Sequence, residues 1–276
     1  MPYFEFTIES CDGLKLQGRD WEPDAGTKAV VCLVHGLGEH CGRYGHVAEA
    51  FNHAGYALVA FDQRGHGRSE GRRGQIPNYT ALMDDIFQLL ETAKKRHPDI
   101  PVFLYGHSLG GNLVLHYTLR RSPELAGLIA SAPMLRMAHP RPQWQVALLE
   151  IPSALRLPSS FPNGIDAADL SHDPQVVQAY RDDPLTHERI SPTLAVEMIK
   201  NGEWNLAHAA NLPCPLLLMH GNADRITSAE ASKEFASRAG DVCTLKIWDG
   251  FYHELHNEPE KKYVLDYMLA WMDQTL

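Results

Sequence analysis

One serine of the chain stands in a pattern that is typical of a catalytic nucleophile. Residues 106–110 read Gly-His-Ser-Leu-Gly and match G-x-S-x-G, with Ser108 at the centre. The pattern alone is weak evidence, because residues 67–71 match it as well, around Ser69. The apolar run VFLY precedes Ser108 and a helical pattern follows it, whereas Ser69 lies in a polar, glycine-rich loop. We therefore predict that Ser108, and not Ser69, is a nucleophile on a sharp strand-to-helix turn.

The chain also supplies the two partners that such a serine needs. A hydroxyl is a weak nucleophile until an imidazole takes its proton, and a carboxylate must orient that imidazole. Asp224 follows the apolar run PLLLMHG, and His253 lies in the loop that follows TLKIW. Open parallel sheets place their chemistry at the carboxyl ends of strands. We predict a triad in the chain order Ser108, Asp224, His253.

Other acids compete with Asp224 for this role. Asp62 follows the run LVAF, but it precedes the serine in the chain, so we interpret it as a structural turn residue. No acid closely follows the run LIASA, and the next rivals downstream are Asp241 and Asp249. Asp224 is therefore the predicted acid.

Acyl transfer also needs two N–H donors for the oxyanion that forms on the substrate. One is expected from the backbone of Leu109, directly after the nucleophile. The other is expected from Leu37, in the His-Gly-Leu-Gly loop that follows the apolar run AVVCLV. This H-G-x-G loop is a second signal, independent of the serine pattern.

The histidine and cysteine patterns do not predict a metal site. His253 and His256 are the close competitors for the base, but they are three residues apart, whereas the zinc pattern H-E-x-x-H spaces its histidines by four on a helix. Five cysteines without a C-x-x-C pair predict reduced thiols. We expect neither a metal nor an organic cofactor. One further group lacks a matching second ligand pair and is interpreted as turn and pocket-wall residues: His35, His40, Cys41 and His46.

These residues require a scaffold that brings several strand ends together. Strongly apolar runs alternate with helical patterns, the clearest helix carrying Leu82, Ile86 and Leu89 on one face before a stop at His97-Pro98. Continuously apolar runs are typical of parallel strands that helices cover on both faces. We predict a doubly wound α/β sheet. The predicted strands are at residues 4–8, 29–34, 56–61, 102–105, 125–132, 215–220 and 243–248.

Residues 135–207 interrupt this alternation and predict an inserted helical cap. The segment lacks a strong strand and contains eight prolines, which should divide it into short helices and turns. The chain is thus expected to divide into a first core part (1–134), the cap (135–207) and a second core part (208–276). The stretch WQVALLEIPSALRL within the cap is apolar enough to pack on the core, to roof an apolar pocket or to touch a membrane.

Composition excludes some classes of partner. The formal charge is −9 at pH 7 and the basic residues are scattered, so we expect no nucleic acid partner. The first residues lack the charge and apolar pattern of a signal peptide, and no apolar run is long enough to span a bilayer. We expect a cytoplasmic protein that contacts membranes, if at all, peripherally through its cap. The oligomeric state does not follow from the sequence.

Several motifs together resemble one known family. HGLGEHCGRY, FDQRGHGRSEG, YGHSLGG, DPL, HGNADRI and LKIWDGFYHELHNEP occur in this order and are similar to the monoacylglycerol lipase and lysophospholipase branch of the α/β-hydrolases. The resemblance runs from about residue 28 to the end and is weakest over residues 135–175. It implies an α/β-hydrolase fold with a cap, and a serine hydrolase that cleaves the ester of one acyl chain on glycerol or a similar polar head.

The resemblance also implies roles for particular residues. It places the triad on Ser108, Asp224 and His253 and the oxyanion donors on Leu37 and Leu109. The Leu37 side chain stands where smaller residues are common, so it is expected to narrow the acyl entrance. The polar head group would be bound by Glu39, Arg43, Tyr180 and His256.

Two other interpretations stay open. A broad short-chain carboxylesterase, a thioesterase or an aminopeptidase could use the same triad. The fold could also serve as a non-catalytic, ligand-binding scaffold, because fold does not determine function.

Overall fold

An eight-stranded sheet forms the centre of the molecule. The structure is a computed structural model that describes residues 3–139, 143–155 and 159–276. The strands follow the spatial order β1-β2-β4-β3-β5-β6-β9-β10, and β7 and β8 form a separate two-stranded ladder. Within the eight-stranded sheet, the pairings of β1 with β2 and of β2 with β4 are antiparallel, and the other pairings are parallel. The β7–β8 ladder is antiparallel. The strands are β1 (Phe4–Glu9), β2 (Lys15–Trp21), β3 (Ala29–Val34), β4 (Tyr56–Phe61), β5 (Val102–His107), β6 (Gly127–Ser131), β7 (Phe161–Pro162), β8 (Arg189–Ile190), β9 (Leu216–Gly221) and β10 (Cys243–Trp248).

Helices cover both faces of this sheet. Along β3, Val30, Cys32 and Val34 belong to one apolar cluster, whereas the alternate residues belong to another. The first cluster includes side chains of α2, α3, α6 and α7, and the second includes side chains of α1 and α8. The α/β-hydrolase fold class, with a mostly parallel sheet between helices, is confirmed. The helices are α1 (Gly45–His53), α2 (Tyr79–Arg96), α3 (Leu109–Arg121), α4 (Gln143–Ala154), α5 (Pro174–Asp182), α6 (Pro192–His208), α7 (Ala229–Ala239) and α8 (Lys261–Thr275).

The seven predicted strands all occur, but β2 is a strand that the sequence pattern did not predict. Its sequence, KLQGRDW, is polar and lacks a continuous apolar run. Leu16, Gly18 and Asp20 are buried, while Gln17 and Arg19 between them are half-buried. This alternation fits its antiparallel pairing near one edge of the sheet, where one strand face need not be apolar.

The segment between β6 and β9 holds α4, α5, α6 and the β7–β8 ladder. The prolines were predicted to divide this segment into short helices and turns, but not all of them do so. Pro174 and Pro192 begin α5 and α6, because the first turn of a helix has no use for the missing N–H, and α6 runs for 17 residues. Pro152 lies inside α4, and residues 140–142 and 156–158 lie outside the described residues. The division at residues 135 and 207 stays a prediction.

Across the described ranges, we find no helix with both the length and the apolar character needed to cross a membrane.

Candidate active site

Ser108 occupies the sharp turn between β5 and α3. Its backbone has φ 54° and ψ −114°, a conformation that costs energy for a residue with a Cβ and that clusters at functional sites. Gly106 and Gly110 make the turn possible. A Cβ on Gly106 would lie 2.3 Å from the Gly110 carbonyl oxygen, and one on Gly110 would lie 2.0 Å from that of Val34. Strand and helix thus approach as closely as a nucleophile elbow requires.

Ser69 and Asp62, the rivals from the sequence, bind each other in a loop after β4. The Ser69 hydroxyl donates to the Asp62 carbonyl oxygen and accepts from the Gln17 N–H at 2.8 Å. The Asp62 carboxylate accepts the backbone N–H groups of Cys41 and Arg68, each at 2.8 Å. Both side chains are therefore used to fix the loop.

Asp224 and His253 follow the neighbouring strands β9 and β10, and their side chains are in direct contact. His253 Nδ1 lies 2.7 Å from Asp224 Oδ2. Because a carboxylate only accepts, Nδ1 carries the hydrogen and Nε2 is left free to take a proton. Burial lowers the pKa of His253, but the charge and hydrogen bond of Asp224 outweigh it, helped by Glu254 and Glu39, so that the pKa is raised.

The Asp224 carboxylate is fully buried and saturated with donors. Oδ1 accepts the backbone N–H groups of Ile226 (2.7 Å) and Thr227 (3.0 Å). Oδ2 accepts, besides His253, the Thr227 hydroxyl at 2.8 Å and His220 Nε2 at 3.1 Å. Burial acts to raise the pKa of Asp224, but the His253 charge and these hydrogen bonds hold it well below its ordinary value. His220 was not identified from the sequence. Its position near the carboxyl end of β9, directly before Gly221, was the available signal.

The two predicted oxyanion donors come after the adjacent parallel strands β3 and β5, near Ser108. Leu109 is the first residue of α3, where backbone N–H groups have no partner inside the helix. Leu37 belongs to the loop that follows β3. Glu39 Oε1 accepts the Gly36 N–H of this loop at 2.6 Å, and a Cβ on Gly36 would lie 3.3 Å from the Ser108 Cβ. The loop is thus held tightly against the serine.

An apolar cavity opens on one side of Ser108. It has a volume of about 710 Å³, part of it open to solvent. Leu37 and Leu109 lie on its wall beside the serine, and the expected narrowing by the Leu37 side chain stays a prediction. The other walls come largely from the segment between β6 and β9 and include Met134, Met137, Leu149, Phe161 and Met198.

A smaller polar cleft of about 280 Å³ also reaches Ser108. Of the four residues that the resemblance places at the head group, Glu39 and Tyr180 line this cleft, together with His253 and Glu254. The other two do not form its wall. His256 is fully buried, stacked on Tyr44 with ring centroids 4.6 Å apart, and burial holds its pKa well below the ordinary value. Direct contact with a head group is therefore not available to His256 in this arrangement.

Arg43 is held between two carboxylates behind the polar cleft. Its guanidinium donates to both oxygens of Glu254, at 2.6 and 2.7 Å, and to Glu39 at 2.9 Å. It also lies 4.9 Å from the ring centroid of Tyr180. Burial acts to raise the pKa of Glu254, but the charge and hydrogen bonds of Arg43 hold it well below its ordinary value. Two carboxylates against one guanidinium leave a net negative charge beside the cleft.

The group His35, His40, Cys41 and His46 does not converge in the structure. His40 contacts Asp183 at 2.8 Å and His46 contacts the His256 carbonyl oxygen at 2.7 Å. Burial raises the pKa of the Cys41 thiol, which agrees with the predicted structural role. Elsewhere, the possible metal-ligand atoms of Asp20, Glu22 and His97 lie within 4.8 Å of one another. The Asp20 carboxylate, however, already accepts a hydrogen bond from the Arg96 guanidinium.

Comparisons with known proteins place this geometry in a family. A family model described as serine aminopeptidase, S33, matches residues 25–260. A monoacylglycerol lipase of Mycolicibacterium smegmatis is 36% identical over 97% of this chain and 96% of its own length. An uncharacterized abhydrolase domain-containing protein of Dictyostelium discoideum is 38% identical over 94% of this chain, which spans only 28% of that protein.

A solved structure supports the same family assignment. The crystal structure of the Paleococcus ferrophilus monoacylglycerol lipase is 34% identical, with a TM-score of 0.87 over 95% of this chain and 99% of that one. Fold, motif order and near-full-length relatives therefore lead to one conclusion. The chain belongs to the serine aminopeptidase S33 family of α/β-hydrolases and is a serine ester hydrolase.

Proposed function

We propose that the enzyme hydrolyses the ester of a single-chain acylglycerol through an acyl-enzyme on Ser108. One observation carries the proposal: an apolar cavity and a small polar cleft meet at Ser108. An acyl chain fits the first and a polar head the second, so the ester carbonyl would lie at the serine. The monoacylglycerol lipases among the relatives, by their names, act on such esters.

The proposed mechanism is acyl transfer in two steps. His253 Nε2 takes the proton of Ser108 as the hydroxyl oxygen attacks the ester carbonyl, and Asp224 stabilises the imidazolium that results. The backbone N–H groups of Leu37 and Leu109 bind the oxyanion. The intermediate collapses, the C–O bond to the alcohol breaks, and the alcohol leaves with the proton from His253. A water molecule then repeats the sequence on the acyl-enzyme and releases the fatty acid.

The charge beside the polar cleft bears on the head group. Glu39 and Glu254 outnumber Arg43, and His256 is neutral because of its low pKa. A buried net negative charge repels a phosphate, whereas the hydroxyls of glycerol can donate to carboxylate and carbonyl oxygens. We therefore propose that uncharged glycerol esters are preferred over lysophospholipids that carry a phosphate.

A substrate panel tests the proposed function. We expect the highest kcat/KM with 1-oleoylglycerol, a lower value with 1-oleoyl lysophosphatidate, and covalent labelling of Ser108 by a fluorophosphonate. Best activity with a short-chain p-nitrophenyl ester, a thioester or an aminoacyl amide would replace the proposed substrate by one of these classes. Labelling that fails entirely would favour a non-catalytic scaffold.

In the same panel, Glu254→Gln should raise the ratio of lysophosphatidate to oleoylglycerol hydrolysis by about tenfold. A unit charge about 10 Å away contributes on the order of 1 to 2 kcal/mol at an effective dielectric constant of about 20. Glu230→Gln is the matched control, because the Glu230 side chain is 80% exposed on α7. An unchanged ratio in Glu254→Gln would show that Glu254 does not contribute to the selection of the head group.

We also propose that α4 brings the enzyme to membrane surfaces. Four large apolar side chains on this part of the chain are more than 60% exposed and follow one another at helical spacing: Trp144, Leu148, Ile151 and Leu155. Residues four, three and four apart share a face of a helix. Leu149 points instead to the apolar cavity, so the same helix borders the path of an acyl chain. The cytoplasmic location stays a prediction.

Sedimentation with neutral phosphatidylcholine vesicles tests this surface. We expect the double variant Leu148→Ser, Ile151→Ser to bind several-fold less tightly, because it removes apolar area that would leave water at the membrane. Tyr263→Ser is the control, since Tyr263 is 66% exposed on α8. Equal binding by the double variant and the wild type would show that α4 is not the contact.

A further inference from the structure

A second imidazole binds the same carboxylate oxygen as His253. His220, near the end of β9, is fully buried, and its Nε2 lies 3.1 Å from Asp224 Oδ2. His253 Nδ1 lies 2.7 Å from that oxygen. The mechanism proposed above makes no use of His220, which does not line the apolar cavity or the polar cleft.

The surroundings of His220 determine which of its nitrogens carries the hydrogen. A carboxylate oxygen cannot donate, so Nε2 must be protonated and donate to Asp224. The same N–H also lies 3.3 Å from the Thr227 carbonyl oxygen, a second acceptor. Nδ1 lies 2.8 Å from the Ser232 hydroxyl, which therefore donates to it. Ser232 stands in the first turn of α7, so a helix of the core orients the ring.

We infer that His220 is a positioning residue for the reaction: its N–H orients the Asp224 carboxylate and shares the negative charge that attracts the His253 proton. The inference rests on the proposed roles of Asp224 and His253. A donor to Oδ2 makes the carboxylate a weaker acceptor for its other partners. His220 thereby limits how strongly the imidazolium of His253 is held.

Other groups also face His253 and stay constant in the comparison. Asp224 contacts it from the loop after β9, Glu39 faces it from the loop after β3, and Glu254 is its neighbour in the chain. The His107 ring, at the end of β5, lies 4.8 Å from the His253 ring. A change at His220 leaves Glu39, Glu254 and His107 in place and removes a contact to Asp224, so a shift in the titration of His253 would report on the Asp224 carboxylate.

The direction of the effect follows from the role of the base. Only neutral His253 can accept the serine proton, so kcat/KM falls as the pH drops through its pKa, which is raised above the ordinary value of 6.5. Without the His220 N–H, Asp224 attracts the proton of His253 more strongly. The pKa of His253 then rises further, and the acidic limb of the pH profile moves to higher pH.

The experiment compares His220→Phe, His220→Gln and Ser232→Ala by the pH dependence of kcat/KM. For His220→Phe we expect kcat lower by about tenfold, the size of one hydrogen bond to a charged group, with KM little changed. Its acidic limb should move up by about half a pH unit or more. His220→Gln keeps an N–H donor and should restore most of both quantities. Ser232→Ala keeps the His220 ring but removes the donor to its Nδ1. The acidic limb should therefore move in the same direction as in His220→Phe, but by less.

Controls separate this inference from folding and from the proposed function. Each variant is titrated with a fluorophosphonate, so that rates refer to active enzyme, and a p-nitrophenyl ester serves as a substrate that does not depend on the head group. If His220→Phe does not fold, Ser232→Ala and His220→Gln carry the comparison. An acidic limb that stays in place in all folded variants would overturn the inference. Wild-type enzyme that is neither labelled nor active would instead refute the proposed triad.

Discussion

Replacing Ser108 with alanine is expected to lower kcat by about a millionfold while the fold is kept. The substitution removes the attacking oxygen and leaves the oxyanion donors, the cavity and the imidazole in place. It keeps the Cβ, so the unusual backbone at φ 54° is strained no more than before. The hydroxyl makes no capping hydrogen bond to α3, so its loss should change the free energy of unfolding little. Turnover of 1-oleoylglycerol and urea unfolding measure the two effects.

Ser69→Ala is the matched control, because Ser69 has the same G-x-S-x-G pattern. Its hydroxyl donates to Asp62 and accepts from Gln17 in a buried loop, so its loss should destabilise the fold by about 1 to 3 kcal/mol. The folded fraction should retain its kcat. If Ser69→Ala lost activity and Ser108→Ala kept most of it, the assignment of the nucleophile would be wrong.

Asp224→Asn should lower kcat by about ten-thousandfold, the loss seen when a triad imidazole is held in the wrong tautomer. The neighbours of Asp224 determine how the amide must lie. Two backbone N–H groups, from Ile226 and Thr227, bind Oδ1 and can only donate, so the amide oxygen stays there. The partners of Oδ2 can adapt, because the two imidazoles can change tautomer and the Thr227 hydroxyl can accept. The NH₂ group then takes the place of Oδ2 and donates to His253 Nδ1. The hydrogen of His253 moves to Nε2, where it blocks proton transfer from the serine.

The outcome is measured as single-turnover acylation by a p-nitrophenyl ester, alongside thermal unfolding. Asp62→Asn is the control, since Asp62 is the rival acid and its carboxylate accepts the backbone N–H groups of Cys41 and Arg68 in a loop after β4. We expect it to lose stability and to keep kcat within about tenfold of the wild type. An Asp224→Asn enzyme that kept more than about a tenth of the wild-type rate would exclude Asp224 as the acid.

Short-range sequence patterns predicted the parallel strands of the sheet well, but they did not predict the antiparallel strand β2. Strands such as β3, with six buried residues, need apolar side chains on both faces, and this requirement is visible as a continuous run. Along β2 the residues from Leu16 to Asp20 are buried alternately, and the buried positions include Gly18 and Asp20. A period of two that includes a glycine and an acid resembles a polar loop. Its pairing with β4 depends on contacts between segments far apart in the chain.

The same contrast applies to the candidate site. Ser108, Asp224 and His253 could be predicted because each follows an apolar strand in a set order. Glu254 and His220 could not, because their roles depend on which partner lies across the fold. Arg43 is 211 positions from Glu254 in the chain, and Ser232 lies 12 positions after His220, in α7. A carboxylate directly after a predicted catalytic imidazole was the one available signal for Glu254.

The Glu39–Arg43–Glu254 contacts join two loops that the reaction must keep in register. One end of this bridge holds the Gly36 N–H beside the proposed oxyanion donors, and the other end is the residue after His253. All of its members belong to the sheet-based part of the molecule, whereas most walls of the apolar cavity come from the segment between β6 and β9. Glu39, Arg43 and Glu254 thus connect the proposed donors to the proposed base through side chains that do not line the apolar cavity. The segment between β6 and β9 contacts this bridge and its loop at Tyr180 and at Asp183. Substitutions that reshape the cavity can change which esters are accepted while the spacing between donor groups and base stays as it is.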